Sequence, residues 1–415
     1  MISNVREIIR LLYRLGYNEE QIERIISVYS INKYSDETLL NKINTNFRLL
    51  QDDFFNFSKD QVIDISYRYP QIFTYNIDTI KNKVINLVNL GNSLDGAIKI
   101  IYKYPQLIGY SFLSIKNKYN DMIKMGYSKN NIIKMGTIHP YIYYISTEEK
   151  KDKINKLINI GYSYDDVIRM SCKLPQIYGI AIDNIKSKFN LLLDLGFKKE
   201  DIIKITKTVP EIFSYSDISI NNKYNDLINM GYSKKVVNKI ILNLPTIFGL
   251  NINTIKNKFK DIENLGYTYE DTIFITSDIP NIYGLSINNI ENKINELSKY
   301  YDRNSILKVF RVFPKLFSYS IDSLIDKINY YNSIGLKDLL LIAPRNYMQS
   351  INLTYARYEY LKSIGIDINM NNYQELFLAD KVFKNRYKID KNILLDKYNY
   401  YEYKGVKNGY INGNI

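Results

Sequence analysis

Between Pro175 and Pro210 the chain reads PQIYGIAIDNIKSKFNLLLDLGFKKEDIIKITKTVP, which contains two helical patterns separated by a glycine. In the first pattern, apolar residues recur every three or four positions from Ile182 to Leu195, as on the buried face of an amphipathic helix. Gly196 tolerates the left-handed conformation that ends many helices. The second pattern runs for about ten residues and stops before Pro210, because a proline disfavours helical geometry in the preceding residue. The segment therefore predicts a first helix, a glycine turn, a second helix and a proline-led turn.

This pattern repeats along the chain with the spacing of its prolines. Successive prolines are 35 residues apart six times, then 34, then 30, and six glycines each lie 14 residues before a proline. A single helical pair cannot bury its apolar faces alone, so neighbouring repeats must stack. We predict an all-α fold, a right- or left-handed superhelical α-solenoid of about 35-residue repeats. The prolines are Pro70, Pro105, Pro140, Pro175, Pro210, Pro245, Pro280, Pro314 and Pro344, and the glycines are Gly91, Gly126, Gly161, Gly196, Gly231 and Gly266.

The regularity of the repeat divides the chain into four segments. Residues 1–69 are predicted to form degenerate N-terminal capping repeats, and residues 70–344 form the regular array. Only 9 residues separate Gly335 from Pro344, so the last second helix should be truncated. Residues 345–387 are predicted to be C-terminal capping helices, and residues 388–415 a basic, Tyr- and Lys-rich tail that is expected to be disordered.

The repeat can be written Pro-x-[Ile/Leu]-[Phe/Tyr], then Ser-Ile-x-x-Ile-x-x-Lys, then Leu-Gly-Tyr-Ser-x-x-Asp-Ile-Ile, then Pro. It resembles the repeat of the mitochondrial transcription termination factor (mTERF) family, and residues 376–387 resemble the closing segment of that family. Pentatricopeptide repeats differ in the placement of Gly and Pro, and tetratricopeptide repeats differ in having small residues between their helices. The resemblance implies an all-helical superhelix that binds DNA or RNA and controls gene expression.

Composition excludes several classes of protein. With one Cys and one His among 415 residues, the chain can form neither an internal disulfide nor a zinc site of the usual Cys/His kind. No apolar stretch is long enough to cross a bilayer. The segment Met1–Glu7 lacks the features of a signal or transit peptide, which predicts a cytoplasmic, bacterial-type location rather than an organelle.

The net charge of +13 is concentrated in the centre of the chain, since residues 71–240 hold 25 basic and 15 acidic groups. Basic residues there keep the repeat spacing, so stacking would align them. Eight residues after the glycines comes a row on the second helices, which we call the second-helix row: Lys99, Lys134, Arg169, Lys204 and Lys239. Thirteen residues after the prolines comes the first-helix row: Lys83, Lys118, Lys153, Lys188, Lys223, Lys258 and Lys293.

Two interpretations of these rows stay open. With repeats about 10 Å apart, five aligned cations would span roughly 40 Å and could follow one phosphate strand for about 12 base pairs. We take the second-helix row, together with Lys118, Lys153, Lys188 and Lys223, as the candidate nucleic-acid site. Alternatively, the first-helix lysines lay their stems on the core and leave their ammonium groups in water.

Other candidate residues favour structure over chemistry. His139 and Cys172 precede successive prolines and could face each other, but they are better explained as core or loop residues. Tyrosines after the glycines and aromatic residues after the prolines are periodic, as expected of a core between repeats, although bases could also stack on tyrosines. We find no catalytic constellation, no metal site and no cofactor motif.

The sequence thus supports two functions of different classes. The first is a monomeric regulator of gene expression that binds double-stranded DNA or structured RNA, with transcription or ribosome-associated proteins as further candidate partners. The second is a protein-interaction scaffold, because a basic solenoid groove would also suit an acidic partner. An enzymatic function is not expected.

Overall fold

The computed structural model describes residues 2–31 and 36–405, and every regular element in these ranges is helical. The chain divides into two compact units, Met1–Ile220 and Asn221–Ile415. Each unit contains a succession of helical pairs, and α13 carries the boundary between the units. The all-α solenoid predicted from the sequence is confirmed.

The first unit contains six helical pairs: α1 (Ile2–Leu15) with α2 (Glu19–Ile31), α3 (Asp36–Leu49) with α4 (Lys59–Arg68), α5 (Ile77–Asn89) with α6 (Leu94–Lys103), α7 (Phe112–Lys124) with α8 (Lys129–Ile138), α9 (Thr147–Ile160) with α10 (Tyr164–Lys173), and α11 (Ile182–Asp194) with α12 (Lys199–Thr208). Next comes α13 (Asp217–Asn229), and then α14 (Lys234–Asn243), α15 (Ile252–Asn264), α16 (Tyr269–Asp278), α17 (Ile287–Leu297), α18 (Arg303–Val312), α19 (Ile321–Ser333), α20 (Leu339–Ile342), α21 (Ile351–Ser363), α22 (Asp380–Tyr387), α23 (Lys391–Lys397) and α24 (Tyr400–Tyr403).

The pair α9–α10 shows why each repeat has these boundaries. Ser146 caps α9, since its side chain accepts a bond from the backbone N–H of Glu149, whose carboxylate accepts one from the Ser146 N–H in return. Gly161 ends α9 with φ +126°, a conformation that residues with a side chain rarely adopt. Ser163 then caps α10 through the N–H of Asp166. The predicted glycine turn and ten-residue second helix are confirmed here, and a serine caps each helix.

Each of the nine prolines begins a short 3₁₀ helix, where the sequence predicted only an apolar turn. Proline suits the first position of a helix because its missing N–H would have no partner there. In the repeat that Pro175 leads, Ile177 and Tyr178 of this turn are buried. The turn therefore anchors the connection between repeats in the core. The 3₁₀ helices are Pro70–Thr74, Pro105–Gly109, Pro140–Tyr143, Pro175–Tyr178, Pro210–Ser214, Pro245–Gly249, Pro280–Gly284, Pro314–Ser318 and Pro344–Met348, and a tenth, Tyr373–Phe377, lacks a proline.

The tyrosines that follow the glycines join each repeat to the next. Tyr162 is buried, and its hydroxyl lies 2.6 Å from Oγ1 of Thr206, a residue on the second helix of the following repeat. In the second unit, Tyr232 makes the same contact with Thr276 at 2.6 Å. Their predicted place in the core between repeats is confirmed, and their rings are not exposed to bases.

The ends of the chain depart from the regular repeat. Before Pro70, α1–α2 and α3–α4 form two pairs in which Gly16 and then Asn56 adopt positive φ at the turn. Residues 32–35, which link these pairs, lie outside the described residues. Near the other end, α20 has only 4 residues, as the short spacing before Pro344 predicts.

The tail that the sequence predicts to be disordered contains two short helices and is ordered as far as Gly405. α23 and α24 lie within it, and Leu394 and Tyr400 are each only 1 % exposed. Tyr400 packs edge-on against Tyr330 and Tyr355, with ring centroids 5.2 and 5.7 Å apart. The Tyr- and Lys-rich composition predicts disorder, whereas these tyrosine rings supply buried apolar surface. Residues 406–415 of the expected tail lie outside the described residues.

Candidate nucleic-acid interface

The second-helix row lies on the solvent side of the second helices. Lys99, Lys134, Arg169 and Lys204 are exposed on α6, α8, α10 and α12 of the first unit, and Lys239 is exposed on α14 in the second unit. In the first unit these helices pack directly on one another, and they approach more closely than the first helices do. The four cations therefore lie on one surface made by consecutive second helices.

Members of the row differ in how they are paired. Lys99 lies 2.7 Å from Asp95 one turn earlier, and Arg169 lies 3.0 Å from Asp166. Within the described residues, no carboxylate lies within ion-pair distance of Lys134 or Lys204. The Lys99–Asp95 pair is exposed and spans one helical turn, so it is weak and screened by salt, whereas the carboxylate that Arg169 contacts is buried. Lys134 and Lys204 are thus the cations of the row best placed to meet an anion.

The first-helix row makes a different kind of contact. The ammonium group of Lys153 donates to the backbone carbonyl of Ile180, just beyond the 3₁₀ helix of the next repeat. Lys188 instead contacts the carboxylate of Asp217, and Lys258 makes neither contact within the described residues. Equivalent bonds to carbonyls run from Lys83 to Tyr110, Lys118 to Tyr144, Lys223 to Leu250 and Lys293 to Phe317.

These bonds give the first-helix lysines a structural role between repeats. The carbonyls at the end of a helical turn have no partner within it, and a charged donor satisfies them well. Burial lowers the pKa of Lys83, Lys118, Lys153 and Lys223, as expected when an ammonium group leaves water. The lysine stems do lie on the core, but the ammonium groups are bound to protein rather than left in water.

Two further residues at this position were not recognised from the sequence. Lys327 follows Pro314 by 13 residues and donates to the Tyr347 carbonyl at 2.5 Å, and burial lowers its pKa to about 8. Arg357 follows Pro344 by the same distance, is 1 % exposed, and donates to the carbonyl of Leu378 at 2.6 Å. The constant offset from the proline was the signal that could have identified both.

Net charge alone does not distinguish the two sets of helices in the first unit. Helices α5, α7, α9 and α11 carry 11 basic and 7 acidic residues, and helices α6, α8, α10 and α12 carry 9 basic and 5 acidic residues, so each set has four net positive charges. The two rows differ in their contacts instead, because Lys83, Lys118 and Lys153 donate to backbone carbonyls, whereas Lys134 and Lys204 are exposed without an ion pair among the described residues. We call the surface that carries the second-helix row the basic face.

The comparisons with known proteins agree with this architecture. The mTERF family model matches three overlapping segments of the chain, residues 2–157, 123–262 and 235–384. The chain belongs to the mTERF family. Proteins of the mTERF family are non-enzymatic repeat proteins that bind nucleic acid and are known for transcription termination. No curated protein matches the chain.

The remaining chemical candidates in this mTERF-family chain have structural explanations. His139 packs edge-on against Tyr141, with ring centroids 5.8 Å apart, and burial lowers its pKa. Burial raises the pKa of the half-buried Cys172, which makes its thiol less reactive. No cluster of three potential metal ligands occurs in the part of the chain that the structure describes. Within the same ranges, no helix combines the length and apolar character needed to cross a bilayer.

Proposed function

We propose that this chain binds DNA or RNA through the second-helix row and regulates gene expression in the manner of a transcription termination factor. The observation that carries the proposal is the exposed second-helix row, in which Lys134 and Lys204 have no carboxylate within ion-pair distance among the described residues, whereas first-helix lysines such as Lys153 are bound to backbone carbonyls. Membership of the mTERF family supports the same partner. We also propose that the chain acts as a monomer on double-stranded DNA or structured RNA.

Contacts from this row would fix position along the backbone and would not read the sequence. Lysine ammonium groups bind phosphates as point charges, and phosphate contacts carry no base information by themselves. If all five members of the row neutralise phosphates, the logarithm of the binding constant should fall with the logarithm of salt concentration with a slope of about −4.5 on duplex DNA.

The chain offers a closely matched pair of variants for the test. Lys134→Glu/Lys204→Glu changes two exposed lysines on α8 and α12, 70 residues apart. Lys116→Glu/Lys186→Glu changes two exposed lysines on α7 and α11 of the same two repeats, again 70 residues apart. Both variants alter the net charge equally, so only the face of the solenoid differs.

Affinity for duplex DNA, duplex RNA and single strands is measured by fluorescence anisotropy at several salt concentrations. The second-helix variant should lose affinity for the bound species, and its salt slope should fall in magnitude by about two. The first-helix variant should keep the wild-type slope. Equal losses in the two variants would contradict the site assignment.

The alternative function is a protein-interaction scaffold that uses the same basic face. It is favoured if the wild-type chain binds none of the nucleic acids at 50 mM salt, a concentration at which a backbone-binding protein should bind tightly. An acidic protein partner would then be the expected ligand.

A further inference from the structure

The repeat led by Pro140 departs from its neighbours at its proline turn. One residue after the proline, the repeats on either side have Gln106 and Gln176, and four residues after it they have Gly109 and Gly179. This repeat has tyrosines at both positions, Tyr141 and Tyr144. The neighbouring turns fold without aromatic residues there, so the repeat architecture does not require them. A local departure from a regular pattern is where function is expected.

The two tyrosines form an ordered aromatic surface. Their rings are stacked, with centroids 5.2 Å apart and planes at 23°. The ring of Tyr104 packs edge-on against both, at 6.0 and 6.2 Å, and Tyr110 packs edge-on against Tyr144 at 5.5 Å. Tyr144 is nevertheless 41 % exposed. The surrounding rings therefore hold its plane in place while leaving part of it open to solvent.

The surroundings of this surface are basic. The ammonium group of Lys118 lies 5.6 and 5.7 Å from the ring centroids of Tyr110 and Tyr144. Lys103, at the end of α6, is exposed and donates to the Thr137 carbonyl at the end of α8. Lys134 of the second-helix row lies on α8 itself, just before this turn. Lys118 is held by the Tyr144 carbonyl and so supports the rings, while Lys134 is the cation here with no ion pair among the described residues, and rings beside such a cation suit a ligand that combines flat bases with phosphates.

We propose that Tyr141 and Tyr144 form a stacking site for an unpaired base, supplied by a single-stranded segment whose backbone lies along the second-helix row. This inference rests on the proposed function, and it adds that the preferred ligand contains unpaired nucleotides near the duplex or along the strand. A planar base can continue the parallel stack of the two rings, and stacking tolerates any base because each has a π face. The site would thus add affinity for unpaired nucleotides without selecting a sequence.

The neighbouring repeats supply a variant that should fold. Tyr141→Gln/Tyr144→Gly installs the residues found at the same positions of the flanking repeats, and Tyr144 has the same right-handed helical backbone as Gly179. Tyr144→Phe keeps the ring and removes only the hydroxyl. Tyr13→Ala removes a tyrosine that is 52 % exposed on α1 and serves as the matched control.

The probes are a blunt duplex and the same duplex with a single-stranded overhang that contains 2-aminopurine. The protein has no tryptophan, so quenching of the 2-aminopurine fluorescence reports stacking without interference. Wild type, Tyr144→Phe and Tyr13→Ala should quench the overhang probe. Tyr141→Gln/Tyr144→Gly should lose the quenching and bind that probe roughly 5- to 150-fold more weakly, while binding the blunt duplex within about twofold of wild type.

The outcomes separate this inference from the proposed function. If Lys134→Glu/Lys204→Glu weakens both probes and the tyrosine variant behaves like wild type on both, the stacking site is refuted and the basic face stands. An equal loss on both probes would also refute it, because the tyrosines would then act without regard to unpaired bases. If wild type binds neither probe at 50 mM salt, the proposed function fails first and the stacking site fails with it.

Discussion

The bond from Lys153 to the Ile180 carbonyl provides a direct test of the first-helix row. Lys153 lies on α9, and its acceptor lies 27 residues later, just beyond the 3₁₀ helix of the next repeat. Lys151 is exposed two positions earlier on the same helix. The substitutions Lys153→Met and Lys151→Met each remove one charge and keep most of the side-chain stem. Only the first removes a bond between repeats.

The expected cost follows from the two energy terms at this site. A hydrogen bond from a charged donor contributes about 1.5 to 3 kcal/mol, and the carbonyl is left without its donor in the variant. Part of this cost is recovered because the ammonium group no longer has to leave water, a penalty that shows in the lowered pKa of Lys153. We expect Lys153→Met to lower the free energy of unfolding by about 1 to 2 kcal/mol. Lys151→Met should change it by less than about 0.5 kcal/mol.

Differential scanning calorimetry can measure this difference in the transition of the first unit. For a unit of the size of Met1–Ile220, about 1 kcal/mol corresponds to a Tm change of about 2 to 4 °C, so Lys153→Met should melt roughly 2 to 8 °C lower. Circular dichroism before melting checks that the helical content is unchanged. Equal Tm values for the two variants would show that the carbonyl bond contributes nothing, and the structural role of the row would be wrong.

Three further predictions concern buried groups. Burial lowers the pKa of Lys327 to about 8 from an ordinary 10.5, so the unfolded chain binds this proton more tightly than the folded chain. Raising the pH from 8 to 10 should therefore stabilise wild type relative to Lys327→Met, by up to about 1.4 kcal/mol per pH unit. Parallel curves of Tm against pH for the two proteins would contradict this. Tyr400→Ala should lower the free energy of unfolding by about 3 to 5 kcal/mol, because Tyr400 is buried. Tyr401 is half-exposed, so Tyr401→Ala should lower it by less than about 1 kcal/mol. Equal effects of the two substitutions in urea unfolding would contradict the burial of the C-terminal helices. Gly136→Ala should lower the free energy of unfolding by about 1 to 3 kcal/mol, although alanine has the better helix propensity, because the added Cβ would lie 2.5 Å from the Tyr143 ring. The loss of stability should disappear when Tyr143→Leu is also present. If the loss persists there, this clash is not its cause.

Local signals in the sequence predict the elements of this fold well. A proline and a glycine each act within a few residues, so their spacing predicts the helices and the truncated α20. The 3₁₀ helices were not predicted as such, although Pro175 and the apolar pair after it marked their position. Short-range rules thus account for almost all of the secondary structure.

The environment of a side chain depended on contacts that the spacing could not reveal. Lys153 and Lys134 recur with the same period, yet one is bound to a carbonyl in the next repeat and the other is exposed without an ion pair among the described residues. Periodicity shows that positions are equivalent, but it does not show which way a side chain points or what lies 27 residues further along. The tail illustrates the same limit, because burial of Tyr400 depends on rings 45 and 70 residues earlier in the chain.

The two rows differ in how readily their cations can bind a phosphate. The net charge of a segment counts every lysine equally, and by this measure residues 71–240 are basic without any distinction between the first and second helices. Lysines bound to carbonyls still carry charge, but their ammonium groups are partly withdrawn from solvent and already have a partner, so a phosphate would have to displace a bond between repeats to reach them. Lys134 and Lys204 of the second-helix row require no such exchange, because they make no competing ion pair within the described residues. A nucleic acid should therefore meet Lys134 and Lys204 of the second-helix row more readily than the carbonyl-bound lysines of the first-helix row.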